Sequence, residues 1–331
     1  YGAKGNAERA IADFDQSIKF NPNDALAYNN RGYAYRNKGD IARAVADYEQ
    51  AIKLDPTNAV AYYNRGNALY ERRDYDRAIA DFDATLKINP NDALALYNRG
   101  LAWRDKGDSA KAVADFGRVA QLQPKNALAL NNLGLAYRGM GELDRALAAF
   151  DQAAKLDATL ATLFENRGVT LGMKGDVDRA IADLDQTLKL DPGNPRAVYN
   201  RGLAFRNRGD LDRAAADFDQ AIKLDPNNAA AFYNRGNVFY GKKDYDRAIA
   251  DYNVAIKLKP DFAAAYNSRG LAYDDKRDSD GAIADFNQAI KLNPNDPLVY
   301  NNRGVAYRNK GDTERAIADY QQAIKLDPNY A

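Results

Sequence analysis

Hydrophobic and polar positions alternate along this chain with the period of an α-helix, and the whole pattern recurs every 34 residues. In the first half of a repeat, such as residues 25–38, Tyr28, Gly32 and Tyr35 fall on one helical face. In the second half, Tyr48 lies on the corresponding apolar face. Each repeat therefore predicts two amphipathic helices joined by a short turn.

The ends of these helices are marked by polar and helix-breaking residues. A Gly-Asp turn separates the two halves of the first full repeat at Gly39. Pro56 ends the second half, because proline and the residue before it resist the helical conformation. In seven repeats an Asn or Asp stands where its side chain is expected to cap the next helix. These residues are Asp24, Asn58, Asp92, Asn126, Asn194, Asn228 and Asp296.

Counting the repeats predicts the domain organisation. Residues 1–24 are expected to hold the second helix of a truncated repeat, from Glu8 to Phe20. Residues 25–331 are expected to form nine tandem 34-residue units, which begin at Ala25, Ala59, Ala93, Ala127, Ala161, Pro195, Ala229, Ala263 and Pro297. Because no initiator Met and no polar terminal helix are present, we expect a segment of a longer protein. The alternative is that the open ends pack on another copy.

A glycine recurs in every first helix, although glycine there costs about 1 kcal/mol relative to alanine. Every second helix has a matching alanine, as in the pair Gly32 and Ala44. A cost repeated in nine units indicates close helix–helix contact at these small residues. The predicted fold class is therefore all-α, a solenoid of antiparallel helix pairs.

The order of these residues resembles the tetratricopeptide repeat (TPR). An aromatic or aliphatic residue, Gly and Tyr occupy the first helix, and Ala, Phe or Tyr, Ala and Pro follow in the second. The resemblance covers the whole chain, and it implies a right-handed superhelix. First helices would line a concave groove and second helices would form the convex back. The family's usual function is to bind partner proteins or extended peptides.

The chain departs from the family pattern before the helix glycine, where the family usually has leucine. Eight units have arginine there and aspartate sixteen residues later, whereas the fourth unit has Leu133 and Ala149. We predict that the two positions are in contact, because a charge near a core requires a partner. Chance divergence of one copy is the alternative. The predicted pairs are Arg31–Asp47, Arg65–Asp81, Arg99–Asp115, Arg167–Asp183, Arg201–Asp217, Arg235–Asp251, Arg269–Asp285 and Arg303–Asp319.

Two residues before the helix glycine stands an asparagine, and Ser268 alone interrupts this asparagine row: Asn30, Asn64, Asn98, Asn132, Asn166, Asn200, Asn234 and Asn302. An amide offers donors and an acceptor that match a peptide backbone. The row resembles the asparagine ladder of O-linked N-acetylglucosamine transferases, which implies that it binds the backbone of an extended peptide. The alternative is that these amides bond to neighbouring repeats.

Two further sets of residues are predicted to contact the same peptide. Tyrosine and arginine are typical of binding hot spots. At the family's groove positions, the tyrosines are Tyr63, Tyr97, Tyr199 and Tyr233. One helical turn further along, the arginines are Arg36, Arg104, Arg138, Arg206 and Arg308. An ordinary solvated helix face is the alternative.

The composition excludes several functions. Lys plus Arg total 47 and Asp plus Glu total 46, so the net charge is +1, and near-neutral charge without a basic stripe argues against nucleic acid. No apolar run approaches the ~20 residues of a membrane span. The absence of cysteine is compatible with cytoplasm or periplasm, of which we favour the cytoplasm.

We predict no enzymatic activity, metal site or cofactor. The chain has no histidine, the commonest general base, and no cysteine nucleophile. Asp-x-Asp pairs on second helices, such as Asp81 and Asp83, are interpreted as solvated charges rather than catalytic dyads. The leading function is a scaffold that binds a peptide or partner protein of unknown identity. A self-assembling spacer rod and the recognition module of a larger enzyme are the alternatives.

One joint between repeats is irregular. Residues 156–160 lack the proline that ends the other second helices. Either the helix continues through this segment or the adjacent repeats pack at a different angle.

Overall fold

The structure is a computed structural model, which describes residues 2–329, with side chains from Ala7 onward. Throughout this range the secondary structure is α-helical, with short turns between helices. The helices are α1 (Gly2–Phe20), α2 (Ala25–Lys38), α3 (Ile41–Leu54), α4 (Ala59–Glu71), α5 (Tyr75–Ile88), α6 (Ala93–Lys106), α7 (Ser109–Leu122), α8 (Ala127–Gly139), α9 (Leu143–Leu156), α10 (Ala161–Lys174), α11 (Val177–Leu190), α12 (Pro195–Asn207), α13 (Leu211–Leu224), α14 (Ala229–Gly241), α15 (Tyr245–Leu258), α16 (Ala263–Asp275), α17 (Ser279–Leu292), α18 (Pro297–Asn309) and α19 (Thr313–Leu326).

The chain divides into two compact units, residues 1–170 and residues 171–331. Within each unit, consecutive helices pack against each other. The turns between them are short, so neighbouring helices run antiparallel. The predicted all-α solenoid of helix pairs is therefore confirmed. Helix α1 begins at Gly2, six residues before the predicted start at Glu8.

The predicted caps are confirmed. Each of the seven Asn or Asp residues accepts a hydrogen bond from a backbone N–H in the first turn of the next helix. The second helices are capped in the same way by aspartates such as Asp210, whose side chain accepts from Arg213 N. Helix α9 is an exception, because Glu142 makes no side-chain cap hydrogen bond.

In eight of the nine full repeats, the fifth excepted, the core forms where the first-helix glycine meets an aromatic ring of the second helix. A methyl group on Gly134 would lie 2.5 Å from Phe150 Cε1, and one on Gly202 would lie 2.9 Å from Phe218 Cε1. The predicted close approach is therefore confirmed. Its main partner is an aromatic ring sixteen residues later, however, and not the alanine that the sequence suggested. These rings are fully buried.

The irregular segment at residues 156–160 does not lengthen a helix. Helix α9 ends at Leu156, and α10 starts at Ala161, as in the other repeats. Asp157 accepts hydrogen bonds from the backbone N–H and the hydroxyl of Thr159, at 2.8 and 2.6 Å. Asp55 and Thr57 form the same turn beside Pro56. The first alternative, a continuous helix, is therefore wrong, because the local Asp–Thr turn ends α9 without proline.

Candidate functional site

The predicted arginine–aspartate contact joins the two helices of a repeat. Arg201 donates from Nε to Asp217 Oδ2 at 2.8 Å and from Nη2 to Asp217 Oδ1 at 2.7 Å. This two-point geometry is that of a strong guanidinium–carboxylate pair. Asp217 is 5% exposed, so the pair is largely desolvated. The aspartate holds the pKa of Arg201 above its usual value, chiefly through these hydrogen bonds.

The same contact forms in seven of the eight predicted pairs: Arg31–Asp47, Arg65–Asp81, Arg99–Asp115, Arg201–Asp217, Arg235–Asp251, Arg269–Asp285 and Arg303–Asp319. For Arg167 and Asp183, which lie in different units, the contact stays a prediction.

Each of several arginines also binds a second side chain, from the preceding repeat. Arg201 Nη1 donates to Asp185 Oδ1 at 2.7 Å, and Arg99 Nη1 donates to Asp83 Oδ1 at 2.6 Å. Asp81 and Asp83 are thus both ion-paired, Asp81 with Arg65 of its own repeat. The interpretation as solvated charge is therefore wrong for Asp81, which is buried, whereas Asp83 is exposed as well as ion-paired. The two carboxylates point to arginines of successive repeats and tie those repeats together.

The sequence contains a signal for this second partner. It lies sixteen residues before the arginine, as the first partner lies sixteen after it. Leu133 of the fourth repeat has Gly117 at that earlier position and Ala149 at the later one. When arginine is replaced, both of its carboxylate partners are therefore missing. Leu133 and Ala149 instead join a buried apolar cluster with Phe116 and Phe150.

The asparagine row lies on the first helices, where it connects successive repeats. Asn98 Nδ2 donates to the Tyr63 hydroxyl at 3.0 Å and to Asn67 Oδ1 at 2.7 Å. Asn64 Nδ2 donates to Asn29 Oδ1 at 3.0 Å. Asn166 and Asn302 make the same contact with the asparagine thirty-five residues earlier, in the preceding repeat. The structure thus gives these amides an inter-repeat role.

In two asparagines of the row, both the amide nitrogen and the amide oxygen are hydrogen-bonded. Asn132 Nδ2 donates to the Tyr97 hydroxyl at 2.7 Å and to Leu128 O at 3.0 Å. Its Oδ1 accepts from Arg104 Nη1 at 2.7 Å. The same three contacts surround Asn234, which uses Tyr199, Ala230 O and Arg206. Both asparagines are buried.

The other predicted residues are placed less uniformly. Arg138 donates to the backbone carbonyl of Asn166 at 3.3 Å. The Ser268 hydroxyl donates to the Tyr233 hydroxyl at 3.4 Å. Asn30 accepts from Asn29 of its own helix, and Asn200 lies partly buried on α12. Burial raises the pKa of Tyr97 and Tyr199, so both hydroxyls remain protonated at neutral pH.

A row of exposed aliphatic side chains, one helical turn before the asparagine row, was missed by the sequence reasoning. It comprises Leu26, Val60, Leu94 and Leu128, whose exposed fractions are 62, 57, 62 and 51%. These four lie in residues 1–170, at the second position of a first helix, and Leu298 has the same position on α18 with an exposed fraction of 44%. Their 34-residue spacing together with their lack of a core partner was the available signal. Because residues four apart share a helix face, this aliphatic row borders the asparagine row.

No group of three or more acidic side chains among the described residues is arranged to hold a metal ion. Within the same part of the chain, no helix combines the length and apolar character required to cross a bilayer.

Solved structures with the same fold were found by comparison. YrrB, described as a TPR protein with an unusual peptide-binding site, is 27% identical over 56% of this chain and 95% of its own, with a TM-score of 0.50. A tetratricopeptide repeat protein from Parabacteroides merdae is 24% identical over 72% of this chain and 94% of its own, with a TM-score of 0.58. The Cut9–Hcn1 hetero-tetramer of the APC/C matches at 16% identity over 96% of this chain and 79% of its own, also with a TM-score of 0.58.

A search of curated proteins returns no match. Family models of the tetratricopeptide repeat match residues 1–39, 32–72, 63–127, 127–160, 167–228, 204–263, 278–311 and 297–330. The matched ranges together cover most of the chain, and the ranges 127–160 and 297–330 each span one observed helix pair. The chain therefore belongs to the tetratricopeptide repeat family, as its repeated residues had implied, and this membership supports a protein-interaction scaffold.

Proposed function

We propose that the first helices of residues 25–170 bind an extended peptide of a partner protein, and that the chain has a binding rather than a catalytic role. The observation that carries this proposal is the exposed aliphatic row beside a polar row that the repeats hold in fixed positions. The aliphatic row supplies apolar contacts. The asparagines and tyrosines supply hydrogen-bonding groups whose order is already enforced by bonds between repeats, which lowers the entropic cost of binding.

In the proposed complex, Asn64 and Asn98 contact the peptide backbone. Their Nδ2 groups donate to the preceding repeat, while no described group donates to either Oδ1 atom. Each oxygen is thus available to accept from a backbone N–H. Asn132 instead orients Tyr97 together with Arg104, whereas the matching contacts of Asn234 lie outside the proposed surface. The similarity to YrrB, a peptide-binding relative by its description, supports the proposal.

The test uses peptides selected by phage display on the wild-type chain. Leu94→Ser with Leu128→Ser removes two exposed contacts, and we expect the affinity of the selected peptides to fall about tenfold or more, as for loss of hot-spot contacts. The matched control is Ala114→Ser with Ala148→Ser, two exposed positions on second helices of the same repeats. Equal affinities for wild type and the leucine variant, or equal losses in both variants, would refute the proposed surface.

Self-association is a second candidate, which one observation favours. Helix α19 leaves Ile317 and Ile324 exposed at 50 and 53%, whereas the equivalent Ile283 and Ile290 are partly buried against the core of α16–α18. This face is the one that a following repeat would cover, and we propose that in this chain a second copy packs on it. Sedimentation velocity should then show mass rising with concentration for the wild type and not for Ile317→Ser with Ile324→Ser. A wild type that stays monomeric at every concentration rejects this candidate.

A further inference from the structure

A second periodic surface lies on the second helices, in their last turns. An exposed lysine occupies the same position in eight of the nine full repeats: Lys53, Lys87, Lys155, Lys189, Lys223, Lys257, Lys291 and Lys325. The third repeat has Gln121 there. A cation in the last helical turn interacts favourably with the helix dipole, which accounts for one lysine but does not require an unpaired one.

These lysines differ from the other periodic cations in having no ion pair with any described residue. The arginines before the helix glycines are paired with aspartates, as Arg201 shows. Cations late in the first helices pair with the preceding repeat, as in Lys38–Glu8 at 2.8 Å. Cations early in the second helices pair with the capping residue, as in Arg145–Glu142 at 2.6 Å. The lysines of the last turn are therefore the periodic cations left for an external partner.

In most repeats the unpaired lysine is nevertheless balanced by nearby carboxylates. Lys189 has Asp185 one turn before it and Asp191 two residues after it. Lys155 and Lys223 are flanked in the same way. Although Asp185 is bonded to Arg201, its charge still opposes that of the lysine at the distance of one helical turn. These repeats consequently present little net positive charge.

The seventh and eighth repeats retain less of that balance, although the exposed Asp261 follows Lys259 by two residues. Asn253 and Asn287 replace the carboxylate one turn before Lys257 and Lys291. Both amides still accept hydrogen bonds from the arginines of the next repeat, Arg269 and Arg303. The replacement thus keeps the bond between repeats and removes the negative charge beside the lysine.

The residues after these lysines further increase the difference in local charge between these two repeats and the others. Lys259 takes the place of the aspartate after Lys257, and Asn293 takes that place after Lys291. Lys257, Lys259 and Lys291 form what we call the lysine stripe, on the carboxyl-terminal ends of α15 and α17. Leu258, between two of these lysines, is 37% exposed and adds an apolar contact.

We propose that the lysine stripe binds an extended acidic segment of a partner protein that also carries aliphatic side chains. Charge complementarity identifies the acidic character, and Leu258 identifies the aliphatic one. The stripe has no arginine, and Phe262, whose ring centroid lies 5.2 Å from Lys259 Nζ, is partly buried and packs on Tyr233, which distinguishes the stripe from the open stacking surfaces that bind single-stranded nucleic acid. Three lysines with one half-exposed leucine also give a membrane surface only about 1 kcal/mol per lysine.

The test measures the anisotropy of a fluorescent peptide built of Glu-Leu-Glu triplets, titrated with the intact chain. Lys257→Gln, Lys259→Gln and Lys291→Gln together should weaken binding about tenfold or more, because charge-paired contacts are lost. The matched control, Lys155→Gln, Lys189→Gln and Lys223→Gln, removes the same charge from balanced positions and should change affinity less than about twofold. Helicity and melting of both variants should equal those of the wild type, since the side chains are exposed.

A second variant leaves every lysine in place. Asn253→Asp with Asn287→Asp restores the carboxylates of the other repeats, retains the acceptor for each arginine, and should also weaken binding of the peptide. The proposal is overturned if the peptide does not bind saturably, if both lysine variants lose affinity equally, or if restoring the carboxylates has no effect. Tighter binding of oligo(dT) or of phosphatidylserine vesicles under the same conditions would overturn the assignment to an acidic peptide.

Discussion

The fourth and sixth repeats fill the same joint between helices with different chemistry. In the sixth repeat, Arg201 binds Asp217 of its own repeat and Asp185 of the preceding one. In the fourth repeat, Leu133 packs in an apolar cluster with Ala149, and Gly117 leaves open space where the other carboxylate would stand. Both joints are compact, and Leu133 and Asp217 are each less than 10% exposed.

The comparison teaches that the arginine and the aspartate sixteen residues later change together, whereas the earlier position also accepts Asn253 and Asn287 beside Arg269 and Arg303. An arginine beside a core is tolerated when carboxylates compensate its charge, and an aliphatic residue is tolerated when the neighbours are apolar or small. A mixed set would leave an uncompensated buried charge, which is more costly than either complete arrangement. The ion pairs are therefore one solution to repeat packing rather than a requirement of the fold.

The largest expected effect on stability comes from combining residues of the ion-paired and the apolar arrangements in the sixth repeat. Arg201→Leu should lower the free energy of unfolding by about 3 kcal/mol, since it leaves Asp217 buried without its cation. Adding Asp217→Ala should recover most of the loss, because both charges are then absent. Chemical denaturation of the wild type, both single variants and the double variant measures the coupling. Additive losses would mean that the two side chains do not act as a pair.

Substitution of two glycines by alanine, one in the third repeat and one in the fourth, should change the stability in opposite directions. Gly134→Ala places a methyl group against the Phe150 ring and should destabilise by about 1–3 kcal/mol through overpacking. Gly117→Ala adds a methyl group in open space within α7 and should stabilise by about 1 kcal/mol, since alanine is the better helix former. Thermal melts distinguish the two outcomes, and destabilisation by both changes would mean that the space beside Gly117 is not free.

The smallest effect concerns the helix cap of the fourth repeat. Glu142 pairs with Arg145 but does not cap α9, whereas Asp210 both caps α13 and pairs with Arg213. Glu142→Asp should stabilise by about 0.5–1 kcal/mol at neutral pH. Asp210→Glu, the reverse change, should destabilise by a similar amount.

The gain from Glu142→Asp should depend on pH. The hydrogen bonds from Arg213 hold the pKa of Asp210 below its usual value. A folded-state pKa below the unfolded value contributes stability above the unfolded pKa, and this stability is lost as the pH falls through the folded pKa. Melting across the acidic range should therefore bring Glu142→Asp and the wild type together, and a constant difference would exclude a carboxylate cap.

Much of the fold was predictable because the period fixes it. Helix starts follow from the capping side chains, and helix ends follow from the Gly or Asp-Pro signals. Internal comparison also identified the Arg–Asp contact, since Leu133 and Ala149 depart from the pattern together. The aromatic contact of Gly134 was missed, although Phe150 lies at the same sixteen-residue spacing. Small residues suggest each other as partners, while the structure fills the space with a ring.

Prediction of the candidate site was less complete for a physical reason. Asn98 and Tyr63 are thirty-five residues apart and meet only because a tyrosine hydroxyl reaches across the boundary between repeats. The position of a residue within its own repeat does not show whether its side chain reaches the next repeat. The second partner of Arg201 was missed likewise, since Asp185 belongs to the preceding repeat and is more than half exposed. The sequence signal for this exposed carboxylate is that a glycine, Gly117, stands at its position before the one repeat that lacks the arginine.

The most direct test of the central claim transfers the ion-paired set into the fourth repeat. Leu133→Arg alone should lower the free energy of unfolding by about 3 kcal/mol, because its guanidinium enters an apolar cluster without a partner. The triple variant Leu133→Arg, Ala149→Asp and Gly117→Asp should recover most of that loss, as measured by chemical denaturation. A triple variant no more stable than Leu133→Arg would contradict the claim that carboxylate partners compensate an arginine at this position of the repeat.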